Sequence, residues 1–138
     1  MENLNDLFNS EFKNLYALEK QFAKVLNEIK DNVADEDLLQ IITDLTTEAE
    51  EQFDLVHQAL KDLMINPGST TDSVVQQMAE NLRQASLMDI PQEVKDEGIL
   101  ASLNRLNYYR MACYENTYEL AKKLGHKELK EILEIYSE

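Results

Sequence analysis

An all-α helical bundle is the fold class this sequence predicts, on three observations. The chain of 138 residues holds only three glycines and two prolines, so little of its length can be turn or irregular loop. Apolar residues recur at three- and four-residue spacing over long stretches, the signature of a helix with one buried face. The strong breakers, Asn66-Pro67-Gly68, Pro91 and Gly125, fall between those stretches and not within them. A chain of this length is expected to form one domain around one core, here residues 1–138.

The first stripe, Leu4, Leu7, Phe8, Phe12, Leu15, Leu18, Phe22, Val25, Leu26, Ile29 and Val33, predicts a helix from Asn3 to Val33. Asn3 suits the N-cap, and Asp6 puts a negative charge in the first turn, where the helix dipole favours it. Asp35 can cap a second helix, whose stripe runs from Leu38, Ile41, Ile42 and Leu45 to Phe53, Val56, Ala59, Leu60, Leu63 and Met64. It should stop near Ile65, because Pro67 disfavours α geometry at the residue before it and Gly68 tolerates positive φ. The short join makes these two helices an antiparallel hairpin. A shorter connecting helix, capped within Ser69 to Asp72, reaches Leu87. Pro91 then suits the first turn of a third long helix, closed by Gly125. The last stretch, Leu129, Ile132, Leu133 and Tyr136, is helical in period but short. The predicted architecture is therefore an up-down bundle with three long helices, a short connector and a short C-terminal helix.

Charge excludes two classes of partner. With 27 acidic and 13 basic residues, the net charge of −14 repels phosphate backbones and anionic headgroups. Neither nucleic acid nor a membrane surface is an expected partner. Cys113 is the sole cysteine, so an internal disulfide and a thiolate cluster are excluded, and its apolar neighbours make it a small buried hydrophobe. The first residues lack the basic start and apolar run of a secretory signal, and no run nears the roughly 18 apolar residues that span a bilayer. A cytoplasmic location is the expectation.

Interruptions of the stripes are more informative, since ionisable groups at buried positions are costly unless paired. Glu19 lies four residues after Leu15 and three before Phe22. Glu48 follows Leu45 by three, and Gln52 follows Glu48 by four. On the third long helix Asn107 lies four after Leu103, and Arg110 four after Leu106. Each sits near the midpoint of its helix, so Glu19, Glu48, Gln52, Asn107 and Arg110 are expected in one polar layer. Carboxylates converging from neighbouring helices are how bundles build di-metal sites, but such a pair wants about four carboxylates and two imidazoles. This set holds two carboxylates, two amides and a guanidinium that competes for both carboxylates. The expectation is a metal-free hydrogen-bonded layer. His57 and His126 are read as solvent-facing or boundary residues, Glu50 and Glu51 as solvated, and Tyr108, Tyr109, Tyr114 and Tyr118 as packing residues.

The segment Leu15-Tyr16-Ala17-Leu18-Glu19-Lys20-Gln21 resembles the Leu/Thr-Tyr-x-Ala-Glu-Lys-Gln stretch of the YciE/YciF-type ferritin-like family, a bacterial stress-associated group. The match continues to Gln52, then resumes at Glu93-Val94-Lys95-Asp96 and runs through Tyr109, Tyr114, Leu120-Ala121 and Leu124-Gly125. The resemblance implies a ferritin-like bundle, a homodimer, and a candidate di-metal site. Its glutamates on the first two helices fall on Glu19 and Glu48, and its glutamine on Gln52. Its Glu-His-Tyr-Glu falls on Asn107-Tyr108-Tyr109-Arg110, and a histidine sometimes found after the second-helix glutamate falls on Glu50. The acidic stretch of the family's last helix would begin at Glu138.

The expected function follows from both lines: a non-catalytic, stress-associated ferritin-like bundle acting through self-association or a protein partner, with no cofactor. In it the Arg110 guanidinium takes the place of the cations, donating to Glu19 and Glu48 while Asn107 and Gln52 fill the remaining bonds. The alternative is a diverged di-iron or di-manganese oxidase or peroxide scavenger. A small acidic regulator of a basic partner is a third reading, resting on net charge alone.

Overall fold

A computed structural model describes residues 2–135; Tyr136 and Glu138, named above, lie outside them. Five α-helices form the described chain: α1 (Leu4–Ile29), α2 (Glu36–Asp62), α3 (Ser73–Leu87), α4 (Gln92–Lys123) and α5 (Lys130–Leu133). The first three begin on side-chain caps. Asn3 accepts from the Asp6 amide at 2.9 Å, Asp35 from Leu38 at 2.8 Å, and Asp72 from both Val74 and Val75. Each cap satisfies amides that the first turn leaves without an intrahelical partner. Pro91 stands at the N-cap of α4, one position before the first turn assigned to it from sequence.

Contacts at the helix ends fix the directions. Only residues 30–35 separate α1 from α2, and Tyr16 of α1 meets Phe53 and His57 in the second half of α2, with centroids 4.7 and 5.3 Å away, so the two helices run antiparallel. At one end of the bundle, Asp96 of α4 accepts from the Ala34 and Asp35 amides that join α1 to α2. At the other, His126 stacks on Phe8 at 4.9 Å, so α4 also opposes α1 and is parallel to α2. A parallel pair needs a connection that travels the bundle's length, and α3 supplies it. Asp72 at its start bonds Asn14, while Arg83 near its end pairs with Glu28. One long crossover is the connectivity of ferritin-like bundles. The chain then turns after α4 through a 3₁₀ turn, Lys127–Leu129, into α5, which packs on α4 and α2.

The core lies along α1. Phe8, Phe12, Leu15, Leu18, Phe22, Val25, Leu26 and Ile29 are fully enclosed, meeting Ile42, Val56 and Leu60 of α2, Val75 and Leu82 of α3, and Ile99, Leu103 and Leu106 of α4. Leu129 and Leu133 close it beneath α5. Among the described residues no helix is long and apolar enough to cross a membrane.

Helix α2 ends three residues before the stop expected at Ile65, and the reason is local. Met64 takes φ 60°, its amide donating to the Lys61 carbonyl while the Ile65 amide reaches back to Leu60 at 2.8 Å. The same pair of bonds closes α4 at Gly125, φ 79°, with His126 bonded to Ala121. One motif thus ends both helices, with glycine in one and methionine in the other. Met64 is 92% exposed, so it is no stripe residue and its side chain packs on little. A non-glycine residue there bears about 1–2 kcal/mol of steric strain, part of which glycine's larger unfolded-state entropy offsets. Met64→Gly is expected to raise unfolding free energy by about 0.5–1 kcal/mol, read from the urea midpoint; an unchanged midpoint would mean the strain is absent.

Candidate functional site

Halfway along the bundle the apolar core is broken by an ion pair. Glu19 on α1 is wholly enclosed and Arg110 on α4 is 2% exposed. Both positions follow from the stripes: Leu15, Glu19 and Phe22 share one face of α1, as Leu106, Arg110 and Cys113 share one face of α4. Arg110 grips the carboxylate as a fork, Nε to Oε1 at 2.7 Å and a terminal nitrogen to Oε2 at 2.9 Å. The Tyr114 hydroxyl, one turn along α4, donates to the same Oε2 at 2.6 Å. Three donors on two oxygens is what burying a carboxylate requires. The guanidinium carbon also lies 5.4 Å from the ring centre of Phe22 and 5.5 Å from that of Tyr114, so its faces meet π-clouds.

Electrostatics follow from this enclosure. Burial raises the Glu19 carboxyl above its ordinary value, against the opposing pull of the Arg110 fork and the Tyr114 hydroxyl. Burial also works against the Arg110 charge, but the bonds to Glu19 outweigh it and raise its pKa. Burial, together with the adjacent Glu19 charge, drives the Tyr114 hydroxyl well above its ordinary value, so it remains a donor.

The other three residues of the expected layer are placed differently. Glu48 lies at the rim with its side chain 44% exposed, Oε1 standing 3.3 Å from two guanidinium nitrogens. Gln52 does not bond the carboxylates. Its amide donates to the Ile132 carbonyl of α5 at 2.9 Å and lies 3.4 Å from the Tyr114 hydroxyl. Asn107 bonds neither carboxylate, and its buried Oδ1 has no partner among the described residues. Asn107 lies one turn before Arg110 on the same face and Tyr114 one turn after it, and it is Tyr114 that reaches the Glu19 carboxylate. Tyr114, read from sequence as a packing residue, takes the bond assigned to the two amides. Its position four after Arg110 was the available signal. Tyr108 is 71% exposed and packs on little, whereas His57 and His126 are boundary residues resting on aromatic rings.

A second polar cluster, not anticipated, surrounds the start of α3. Asp72 is 3% exposed; besides its own helix cap it accepts from Asn14 at 2.7 Å and from the Tyr109 hydroxyl at 3.0 Å. Gln21 bonds its backbone twice, receiving the Asp72 amide and donating to the Asp72 carbonyl. This cluster fastens the crossover to α1 and α4. Burial raises the neighbouring Cys113 thiol to about 11, which keeps it an unreactive thiol.

The di-metal pair implied by the resemblance does not fit these residues. A divalent cation on Glu19 would have to occupy the space where the guanidinium stands, and both carboxylate oxygens are already taken by donors. Glu50 and Glu51 are exposed. Among the described residues no three His, Cys, Asp or Glu side chains gather into a group able to hold a metal ion.

Comparison with known proteins agrees with the fold. The family described as a domain of unknown function, DUF892, matches residues 3–137. The structure of the Escherichia coli stress protein YciF superposes with a TM-score of 0.91 at 20% identity, covering 97% of this chain and 85% of that one. YcfI of Rhodopseudomonas palustris superposes with a TM-score of 0.88 at 22% identity, covering 96% and 85%. No curated protein matches the sequence.

Proposed function

Because the chain belongs to the DUF892 family and has the YciE/YciF-type fold, we propose that it is a non-catalytic, stress-associated bundle protein that acts by association, as a homodimer or on a protein partner. The observation that carries this reading is the Arg110 fork on Glu19. It satisfies the carboxylate that a metal-dependent oxidase would need free, with a cation that can neither change oxidation state nor bind oxygen. The stress association is borrowed from the name of the E. coli protein of the same fold. Association is supported by large apolar side chains left in solvent: Leu87, Met88 and Val94 flank the turn between α3 and α4, and Ile41 and Leu55 lie on α2.

Metal content and mass test it together. Protein expressed in iron- and manganese-supplemented medium is expected to carry well below one metal per chain and to sediment as a dimer or larger. Stoichiometric iron or manganese, lost on Glu19→Gln, would overturn the reading in favour of a diverged di-metal oxidase or peroxide scavenger. A monomer at high concentration that captures no partner would remove the association.

A further inference from the structure

Helices α2 and α4 both lie against α1 but barely touch each other, and the groove between them is filled at one end. Toward the end of α4, α5 occupies it: Leu133 is enclosed, and the Ile132 carbonyl accepts from Gln52 of α2. Toward the starts of the two helices it opens into a cleft of about 470 Å³ between Leu38 of α2 and Leu100 of α4. Helical spacing carries both walls across the interval. On α2, Ile41 and Leu45 stand in turns between Leu38, which lines the cleft, and Glu48, which meets Arg110 of α4. On α4, Leu103 and Asn107 stand in the same way between Leu100 and Arg110. From Leu38 to Gln52 the groove runs about 21 Å at the helical rise per residue.

The walls are apolar and open. Ile41 is 43% exposed, and Leu45 and Leu100 are only partly buried. Asn107, on the α4 wall, has a buried acceptor that takes no donor among the described residues. Four carboxylates line the open end, Asp35, Glu93, Asp96 and Glu97, and no basic side chain does. Asp35 and Asp96 are engaged by backbone amides, whereas Glu93 and Glu97 pair with no cation among the described residues. The dipole of α4 favours Glu93 in its first turn, but Glu97 lies a turn beyond that benefit.

We infer that the open end of this groove binds an amphipathic helix of a partner protein, laid between α2 and α4 in line with α5. Its aliphatic side chains would rest on Leu38, Ile41, Leu45 and Leu100, and lysines or arginines along its edge would meet Glu93 and Glu97. The inference rests on the reading of the chain as a protein that acts by association. A helix is the segment that fits, because α5 already lies between the same two helices and because a helix satisfies its own backbone groups when laid on an apolar wall. The carboxylates of the open end select a basic edge, since opposite charges across an interface steer and orient the partner. A second copy is disfavoured by the same argument: with a net charge of −14 it would bring an acidic surface against an acidic rim.

Titration of the full chain with a synthetic helical peptide of about 16 residues, long enough to span the groove, tests it. The peptide carries leucines at three- and four-residue spacing and lysines between them. It is expected to bind one per chain, and to bind about tenfold or more tighter than a permuted peptide with its leucines spread around the helix, or than one with glutamate in place of lysine. Glu93→Lys/Glu97→Lys should weaken binding by about tenfold or more, as attraction of near charges becomes repulsion. Glu50→Lys/Asp54→Lys changes net charge equally on a different face of α2, and should leave affinity within about threefold. Amide chemical shifts of the wild-type protein add a readout that needs no variant: Ile41, Leu45 and Leu100 should move on titration. No binding up to millimolar peptide, equal losses in both double variants, or shifts confined to other residues would each overturn the proposal. A dimer that buries Ile41, Leu45 and Leu100 and excludes the peptide would assign the groove to a second copy instead. A dimer that leaves the groove free while no peptide binds would overturn this inference and leave association itself standing.

Discussion

Arg110→Met is expected to lower the unfolding free energy by about 3–5 kcal/mol, a large share of the roughly 5–15 kcal/mol a domain possesses. The loss is larger than a hydrogen-bond count suggests because removing one partner leaves the other, Glu19, charged and enclosed with only the Tyr114 hydroxyl to solvate it. The chain would respond by protonating Glu19 or by admitting water. Adding Glu19→Met should restore most of the loss, since replacing both charges by apolar groups of similar volume removes the desolvation penalty along with the attraction. Urea unfolding of the two single variants and the double variant measures the coupling. A single Arg110→Met variant as stable as wild type would show that the pair contributes nothing to the fold.

The Asp72→Ala variant should be nearly as damaging, by about 3 kcal/mol. One cap is worth about 1 kcal/mol, and buried donors left without an acceptor each carry a further penalty of about 1–3 kcal/mol, partly relieved where water can enter. The groups abandoned are the Asn14 amide, the Tyr109 hydroxyl and the Val74 and Val75 amides. Their loss is local to the crossover. Hydrogen exchange should therefore show α3 opening more readily than α1 or α4, and Asp72→Asn, which keeps an oxygen for the cap, should lose distinctly less. Uniform loosening of all helices would argue that Asp72 serves the whole core and not the crossover.

Fold and site were legible in the sequence to different depths, for physical reasons. Helix starts were readable because Asn3, Asp35 and Asp72 are residue types whose side chains favour the cap, and α4 ended where a glycine announced it. The end of α2 was not readable. Methionine carries no signal for left-handed backbone, and the visible breaker at Pro67 drew the boundary too far. Stripe arithmetic located Glu19 and Arg110 because each falls in the middle of its helix's apolar face. It could not rank Asn107 against Tyr114, which lie on the same face one turn to either side of Arg110; the choice depends on which way the arginine side chain extends. Asp72 escaped notice as anything beyond a cap candidate, since its partners Asn14, Gln21 and Tyr109 are distant in sequence and unremarkable by type.

The cation at the centre of this bundle is covalently part of the chain, and that sets how the layer depends on its surroundings. It has no dissociation constant. Its occupancy is complete from the moment the helices pack, whatever the iron supply, and no chelator can extract it. A guanidinium also has no accessible second oxidation state, so the layer cannot turn peroxide into radicals against its own tyrosines. On the proposed reading, the charge held at this position does not depend on iron supply.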